Sequence, residues 1–326
     1  MFTFSQATRK GIKPLIGLYG LSNSGKTFSA LLMARGFAGE AGKVILGDTE
    51  SGRGALYADL IPGGFIRCDI EPPFSPARYI EFLDAAEKEK PDIIVIDSFS
   101  HEWEGEGGVL DLAEKSAEQR AAKRGDHWDG RVQFGDWKTP KLDHAKLVLR
   151  LLRSKVPVIV CLRAKFKSRQ VKGQNNRSEI VRDDFATPIQ DEGFIFELTA
   201  HAEMQTSNPG TIHLTKWSVP DLKECFPADN DKRLGIETGR KIREWADGGG
   251  SPAVQVGPQS KPKSDALLDL LTKVKDATEA AELTPLVDEY KGLEPDEQKT
   301  AREAISKRAD ALHLVWDKVN KQFISE

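Results

Sequence analysis

Cysteine is scarce in this chain. Three occur among 326 residues, Cys68, Cys161 and Cys225. They lie far apart with no paired spacing, which argues against a zinc site or a disulfide framework and suits a reducing compartment. No apolar run approaches the roughly 18 residues that a membrane-spanning helix needs. The opening Met1-Phe2-Thr3-Phe4 is too short for a targeting segment. Together these absences predict a cytoplasmic protein with no membrane partner. Nor is there an excess of positive charge: 47 basic residues face 50 acidic ones, a net charge of −3. Any contact with nucleic acid must therefore come from a local patch. His101, His127 and His144 lack metal-ligand spacing and read as ordinary hydrogen-bonded or exposed side chains. There is no internal repeat.

What is present is an alternation of short all-apolar runs with helical patterns. Residues 15–19, 43–48, 65–69, 92–97 and 156–162 read as strands, and 28–37, 76–88 and 142–152 as helices. Strands without polar alternation are buried on both faces, so the pattern predicts a mainly parallel sheet flanked by helices. Residues 194–198 and 211–216 alternate more and predict a late β-hairpin turned at Asn208-Pro209-Gly210. The stretch DGGGSPAVQVGPQSKPKS, residues 247–264, reads as a flexible linker. It divides a core of residues 1–246 from a C-terminal all-α unit of residues 265–326. That unit carries apolar stripes at Leu267/Leu268/Leu271/Val274, Leu283/Leu286/Val287/Tyr290 and Ala301/Ala304/Ile305/Leu312. Glu294-Pro295 should open its third helix. Trp316 reads as core of this unit or as a docking contact.

The chemistry is concentrated in GLSNSGKT: Gly20, Leu21, Ser22, Asn23, Ser24, Gly25, Lys26 and Thr27. This matches the phosphate-binding loop G-x-x-x-x-G-K-[ST] without a gap. The glycines let backbone N–H groups turn inward around a phosphate, and the helix that begins near Phe28 aims its positive end at the same anion. Lys26 should reach the β- and γ-phosphates, and Thr27 should ligate magnesium. The run IIVID supplies Asp97 at the C-terminal edge of a buried strand, within reach of the metal shell. Glu50 ends the strand next along the chain, whereas Glu102 and Glu104 read as solvated loop acids. Residues alone leave open which carboxylate polarises an attacking water.

The order of elements resembles the RecA-type recombinase ATPases. There the strand after the phosphate loop closes in an acidic Asp-x-Glu triplet whose glutamate is catalytic. Asp48-Thr49-Glu50 has that form, with Glu50 placed 24 residues after Lys26. The resemblance thus implies that Glu50 orients water. The family's magnesium strand ends in Asp-Ser, as Asp97-Ser98 does. A further family strand ends in a sensor, usually glutamine, before a basic DNA-contacting loop. Here VPVIVCLRAKFK departs by placing Arg163 at that position, which implies a nucleotide contact, a DNA contact or both. A late family strand ends in lysines that reach the neighbouring subunit's phosphate, and TIHLTKW puts Lys216 there. Over residues 2–246 the chain more closely resembles phage-encoded RecA-like P-loop ATPases, the AAA-type phage nucleotide-binding proteins, some of which act as single-strand annealing recombination proteins. FTFSQATRKGIKPLIGLYGLSNSGKT, DTESGRG, IDSFSHEWEG, TKWSVPDL and ETGRKIREW carry that likeness. It implies ATP and Mg2+ as cofactors, single-stranded DNA as partner, and self-association into a filament or ring. Preference for ATP over GTP comes from the resemblance, and no Asn-Lys-x-Asp guanine signature is present.

Two stretches are candidates for nucleic acid. From Arg163 to Arg182 the basic residues Lys165, Lys167, Arg169, Lys172 and Arg177 face a single acid, Glu179. Gly173, Gln174, Asn175 and Asn176 make this read as an irregular loop. It leaves the strand edge where open α/β sheets bind ligands, and Phe166 is a candidate for stacking on a base. The plainer reading is a solvated charge run. Residues 104–141, also read as irregular, interleave Lys115, Arg120, Lys123, Arg124 and Arg131 with Trp128, Phe134 and Trp137. They suit a single-strand groove, or they pack onto the domain.

Three functions follow. One is a recombination ATPase acting on single-stranded DNA. Another is a nucleotide-switched loader or packaging accessory that docks a single-strand-binding or replication protein through its tail. The third is a small-molecule kinase with an arginine-bearing lid, which the Asp-x-Glu placement and the late hairpin oppose.

Overall fold

The computed structural model describes residues 9–172, 178–228, 232–248, 264–317 and 320–325. The chain forms two compact units, Met1–Ser251 and Pro252–Glu326. The expected linker falls almost wholly outside the described residues.

In the larger unit, β1 (Leu15–Gly20) leads into α1 (Lys26–Ala38) and β2 (Val44–Asp48). A 3-10 helix (Arg53–Leu60), β3 (Ile66–Asp69), α2 (Pro76–Lys88) and β4 (Ile93–Asp97) follow. Next come a one-turn α3 (Ser100–Glu104), α4 (Val109–Arg124), α5 (Lys138–Leu152) and β5 (Val158–Lys172). The unit closes with β6 (Ser178–Pro188), α6 (Phe194–Glu197), β7 (Ala200–Met204), β8 (Ile212–Trp217), α7 (Pro220–Lys223) and α8 (Ile236–Ala246). The sheet order is β3-β2-β4-β5-β1-β7-β8, parallel from β3 to β7 and antiparallel only at β8, with β6 pairing antiparallel to β5.

Both sheet faces are covered, which explains why the strands carry no polar alternation. Along β4, Ile93 and Val95 enter the core shared with α1 and α8, while Ile94 and Ile96 enter the core shared with α2 and α5. Each fully buried side chain of this kind contributes about 1.5–3 kcal/mol. The pairing of α1 with α8 depends on two glycines. A Cβ on Gly36 would meet Ile236 O at 1.9 Å, and one on Gly239 would meet Met33 O at 1.9 Å, so neither position admits a side chain without moving a helix. Helix α2 begins where Ser75 accepts the Arg78 N–H and Pro76 takes the first turn.

Three expectations are corrected. Residues 194–198 form a helical turn rather than a strand: Phe194 is buried against Phe99, with ring centroids 4.9 Å apart, and the hairpin strand starts at Ala200. The stretch after Arg163 is not an irregular loop, because β5 runs on past the sheet and pairs with β6 from Ala164↔Pro188 to Lys172↔Ser178. The result is a two-stranded arm whose tip, residues 173–177, lies outside the described residues. Residues 104–141 are mostly α4, a 3-10 turn (Phe134–Trp137) and the start of α5.

The smaller unit holds α9 (Asp265–Asp276), α10 (Ala280–Leu283), α11 (Leu286–Glu289) and α12 (Pro295–Ala311). Ser264 caps α9 by accepting the Leu267 N–H, and its own hydroxyl donates to Glu297 across the unit. Leu267, Leu270, Val274, Leu283, Leu286, Ala301 and Ile305 form its core, with Leu268 exposed. The all-α expectation needs one amendment: β9 (Leu314–Asp317) and β10 (Gln322–Ser325) form a short antiparallel hairpin. Trp316 sits on it, edge-on to Phe323 at 4.9 Å.

Candidate functional site

Register brings the chemistry to one edge. Gly20 pairs with Arg163 on one side and Met204 on the other, and Asp48 pairs with Asp97. All sit at the C-terminal ends of parallel strands, around a cleft of about 1490 Å³ lined by Lys26, Thr27, Glu50, Asp97, His101 and Arg163 among others. This is the edge at which ligands collect in open α/β sheets.

The loop after β1 is built for an anion. Gly25 has φ 85°, a left-handed conformation that turns the chain into α1, and no side chain caps that helix. The N–H groups of Lys26, Thr27 and Phe28 in its first turn therefore have no intrahelical acceptor. Ser24 Oγ is buried without a hydrogen-bond partner. Lys26 Nζ folds back over the loop and donates to Gly20 O (3.1 Å) and Leu21 O (2.8 Å). Burial lowers its pKa, against the opposing pull of Asp97 and Glu50. Unfilled amides, a left-handed glycine and an ammonium make a cradle that fits a polyphosphate.

Thr27 Oγ1 donates to Asp97 Oδ2 at 2.5 Å. Burial raises the Asp97 pKa to about 6, although the Thr27 bond works in the other direction. A hydroxyl and a buried carboxylate in contact beside a phosphate cradle are a hard-oxygen donor pair of the kind magnesium takes. Across the cleft, Asp48 is buried and shapes the turn that presents Glu50. Its Oδ1 accepts the Glu50 N–H (2.7 Å) and its Oδ2 the Gly54 N–H (2.8 Å). Glu50 itself makes one loose ion pair with the exposed Arg53, 3.6 Å.

Behind the cleft lies a cluster the sequence did not announce. Glu102, expected as a solvated acid, is fully buried. It is gripped by His144 Nδ1 at 3.0 Å and accepts from Gln190 Nε2 at 3.1 Å. A short helical turn after a strand suggested a surface loop, but α5 and the residues after β6 close over it. Glu104 does face the cleft side, 3.7 Å from Arg163 NH1. His144 is hydrogen-bonded, as read. His101 also has a partner, Thr49 Oγ1, but it lines the cleft.

The remaining candidates divide. Ser22, Asn23, Gly25, Lys26, Thr27, Glu50, Asp97 and Arg163 line one cleft. Leu21 contributes its carbonyl, while the Phe28 ring stacks on Tyr57 at 5.9 Å and leaves only backbone for a ligand. Lys216 is not in the cleft of its own chain. It pairs with His201 opposite Gly17, away from the Gly20 edge, and its ammonium donates to Phe196 O. Lys165 and Lys167 are exposed on β5, and Lys167 pairs with Glu192 at 2.8 Å. Arg169 and Lys172 lie farther out along the strand, and Arg177 is outside the described residues. Phe166 is partly buried and packs against the core rather than standing free for a base. Trp128 donates its indole N–H to Arg131 O, and Trp137 is half-buried, so both serve the fold of their segment. Phe134 alone stands out, 97% exposed.

No protein-family model matches the chain, and no curated protein does. Among solved structures it is similar to the KaiC-like protein PH0186 of Pyrococcus horikoshii OT3, at 13% identity and a TM-score of 0.35, over 63% of this chain and 79% of that one. A likeness so slight carries no argument, and the assignment rests on the sheet. The P-loop strand β1 is separated from the Asp97 strand by β5, the strand that ends in Arg163. The fold is a mainly parallel α/β sheet flanked by helices, with a late antiparallel strand at one edge. No helix among the described residues is long and apolar enough to cross a membrane.

Proposed function

We propose that the chain is an ATPase that acts on single-stranded DNA, promoting annealing or strand pairing as phage recombination proteins do. The observation that carries the nucleotide half is the loop after β1: uncapped first-turn amides, with Lys26 beside them and Thr27 bonded to Asp97. The reading of DNA has a different support. Beyond Arg163 the cleft wall becomes the β5–β6 arm, and the arm exposes Lys165 and Lys167.

In this reading the loop amides and Lys26 hold the triphosphate. Thr27 and Asp97 would hold Mg2+, which neutralises charge on the phosphate oxygens. Glu50, held at the cleft by the Asp48 turn, accepts a proton from the attacking water and orients it. Arg163 adds positive charge at the same edge. Most of the rate gain then comes from positioning and preorganised charge. Self-association belongs to the proposal because Lys216 does not reach its own cleft and would act only on a neighbour's phosphate. A nucleotide-switched partner protein is the second reading, favoured by the separate compact C-terminal unit.

The test is the rate of ATP hydrolysis with and without single-stranded DNA. Lys26→Ala and Glu50→Gln should each cost about a hundredfold or more in kcat. Lys165→Ala with Lys167→Ala should leave the basal rate and remove stimulation by DNA. Full activity in Glu50→Gln would remove its assignment, and a rate indifferent to DNA would turn attention to the switch reading.

A further inference from the structure

His101 stands on α3 in the wall of the nucleotide cleft, and no step above uses it. Its Nδ1 lies 2.7 Å from Thr49 Oγ1. That hydroxyl accepts the Ser98 N–H at 2.7 Å and is 3.2 Å from Ser98 O. A hydroxyl has one proton to give. Ser98 O already receives the Tyr79 hydroxyl at 3.1 Å, and the imidazole contact is the shorter of the two open to Thr49. The short contact ties the Thr49 hydroxyl to the ring whichever nitrogen carries the proton. Burial, followed by the nearby Arg163, lowers the His101 pKa and keeps the ring neutral. The ring is packed on Phe74, centroids 5.1 Å apart and 30° between planes, so its orientation is fixed. Among the described residues Nε2 has no partner.

The Thr49 hydroxyl sits at a junction. Thr49 precedes Glu50, Ser98 follows Asp97, and the Thr49 N–H donates to Asp97 O at 2.8 Å. Besides the sheet register and the Asp48 turn, the Thr49 hydroxyl links the segment that carries the water-activating carboxylate to the segment that follows the metal-binding one, and His101 holds that hydroxyl. Arg163 enters the same arrangement, since its N–H donates to Ser100 Oγ at 2.9 Å, one residue before His101.

We propose that His101 is a positioning residue for hydrolysis: it fixes the Thr49 hydroxyl and thereby helps hold Glu50 in register with Asp97. The inference rests on the ATPase reading of the cleft. It makes a distinction that general packing does not: ADP binding depends on the loop after β1, whereas catalysis depends on the Thr49–His101 bond.

The experiment measures kcat, KM and ADP affinity for His101→Leu, His101→Asn, Thr49→Val and the double variant His101→Leu/Thr49→Val, beside wild type and Lys26→Ala. His101→Leu should lose about ten- to a hundredfold in kcat, with ADP affinity within about twofold of wild type. His101→Asn keeps a polar partner for the Thr49 hydroxyl and should recover most of the loss. Thr49→Val should match His101→Leu, and the double variant should be no slower than either single. A wild-type kcat in His101→Leu overturns the proposal, as does ADP affinity falling in step with kcat, or losses that multiply in the double variant. Absence of hydrolysis in wild type itself would overturn the ATPase reading, and this proposal with it.

Discussion

Two turns at the same sheet edge do opposite things with their polar atoms. After β1 the chain enters α1 through residues whose donors are left open: the first-turn amides are uncapped and Ser24 Oγ has no partner. After β4 the chain enters α3 through residues whose polar atoms are almost all committed. Ser98 and His101 bond Thr49, Ser100 takes the Arg163 N–H, Glu102 holds His144 and Gln190, and Glu104 pairs with Arg163. Open donors at a helix start cost free energy until an anion fills them, so the first turn is a binding device. Committed side chains fix geometry, so the second turn sets where β2, β4, β5 and the segment after β6 stand relative to one another.

The sharpest way to break that contrast is to empty the second turn. Glu102 is fully buried and answers both His144 and Gln190. Glu102→Ala leaves the buried His144 Nδ1 without its partner and Gln190 Nε2 with only its 3.4 Å bond to Phe99 O, and should cost about 3–5 kcal/mol in a urea unfolding titration, the range for removing one partner of a buried pair. Glu102→Gln keeps an acceptor and should cost less than half as much. A surface acid would give a change within about 0.5 kcal/mol in both, the outcome that would restore the solvated reading.

This difference also explains what was legible in advance. GLSNSGKT is contiguous and works through backbone, so residue order alone displays it. Asp97 was legible because an acid ending an all-apolar strand lies at the sheet's edge, whereas Asp48 and Glu50 were legible only through the resemblance to the Asp-x-Glu triplet. The α3 cluster draws on residues 49, 98–104, 144, 163 and 190, and nothing in their order announces that α5 and the segment after β6 close over Glu102. Phe166 misled for a related reason. It sits in a run of lysines, yet alternation along β5 turns it inward to the core while Lys165 and Lys167 face out. The 194–198 strand failed because Phe194 and Phe196 alternate as a strand would, while one helical turn buries the first and leaves the second exposed.

The metal side of the first turn offers a smaller effect with a definite sign. Burial raises the folded-state pKa of Asp97 to about 6 from an ordinary 3.8. Between those values the folded protein keeps a proton that the unfolded chain has released. Its contribution to stability is therefore complete below about pH 4 and lost as pH rises through 6, a span of roughly 3 kcal/mol. Unfolding midpoints of wild type minus those of Asp97→Asn, taken without magnesium from pH 4 to 7, should fall across that window. Saturating magnesium and ADP should flatten the difference, because the bound cation favours the ionised carboxylate. Parallel profiles for the two proteins would show that Asp97 does not titrate there.

The smallest effect separates the cleft from the arm. If the arm contacts single-stranded DNA, each phosphate neutralised contributes about 0.7 to the slope of log affinity against log salt. Lys165 and Lys167 are neighbours on β5 but not equivalents. Lys167 is held by Glu192 at 2.8 Å and must exchange that partner for phosphate, whereas Lys165 has no ion pair among the described residues. Exposed pairs are worth less than about 1 kcal/mol, so the exchange is feasible but costs part of the gain. Lys165→Ala should therefore weaken binding more than Lys167→Ala, and each should lower the slope by up to about 0.7. Glu192→Gln should strengthen binding severalfold by releasing Lys167. Fluorescence anisotropy of a labelled oligonucleotide at several salt concentrations measures all three. Equal slopes for all variants would place the DNA contact elsewhere, and the exposed Phe134 turn would be the next segment to test.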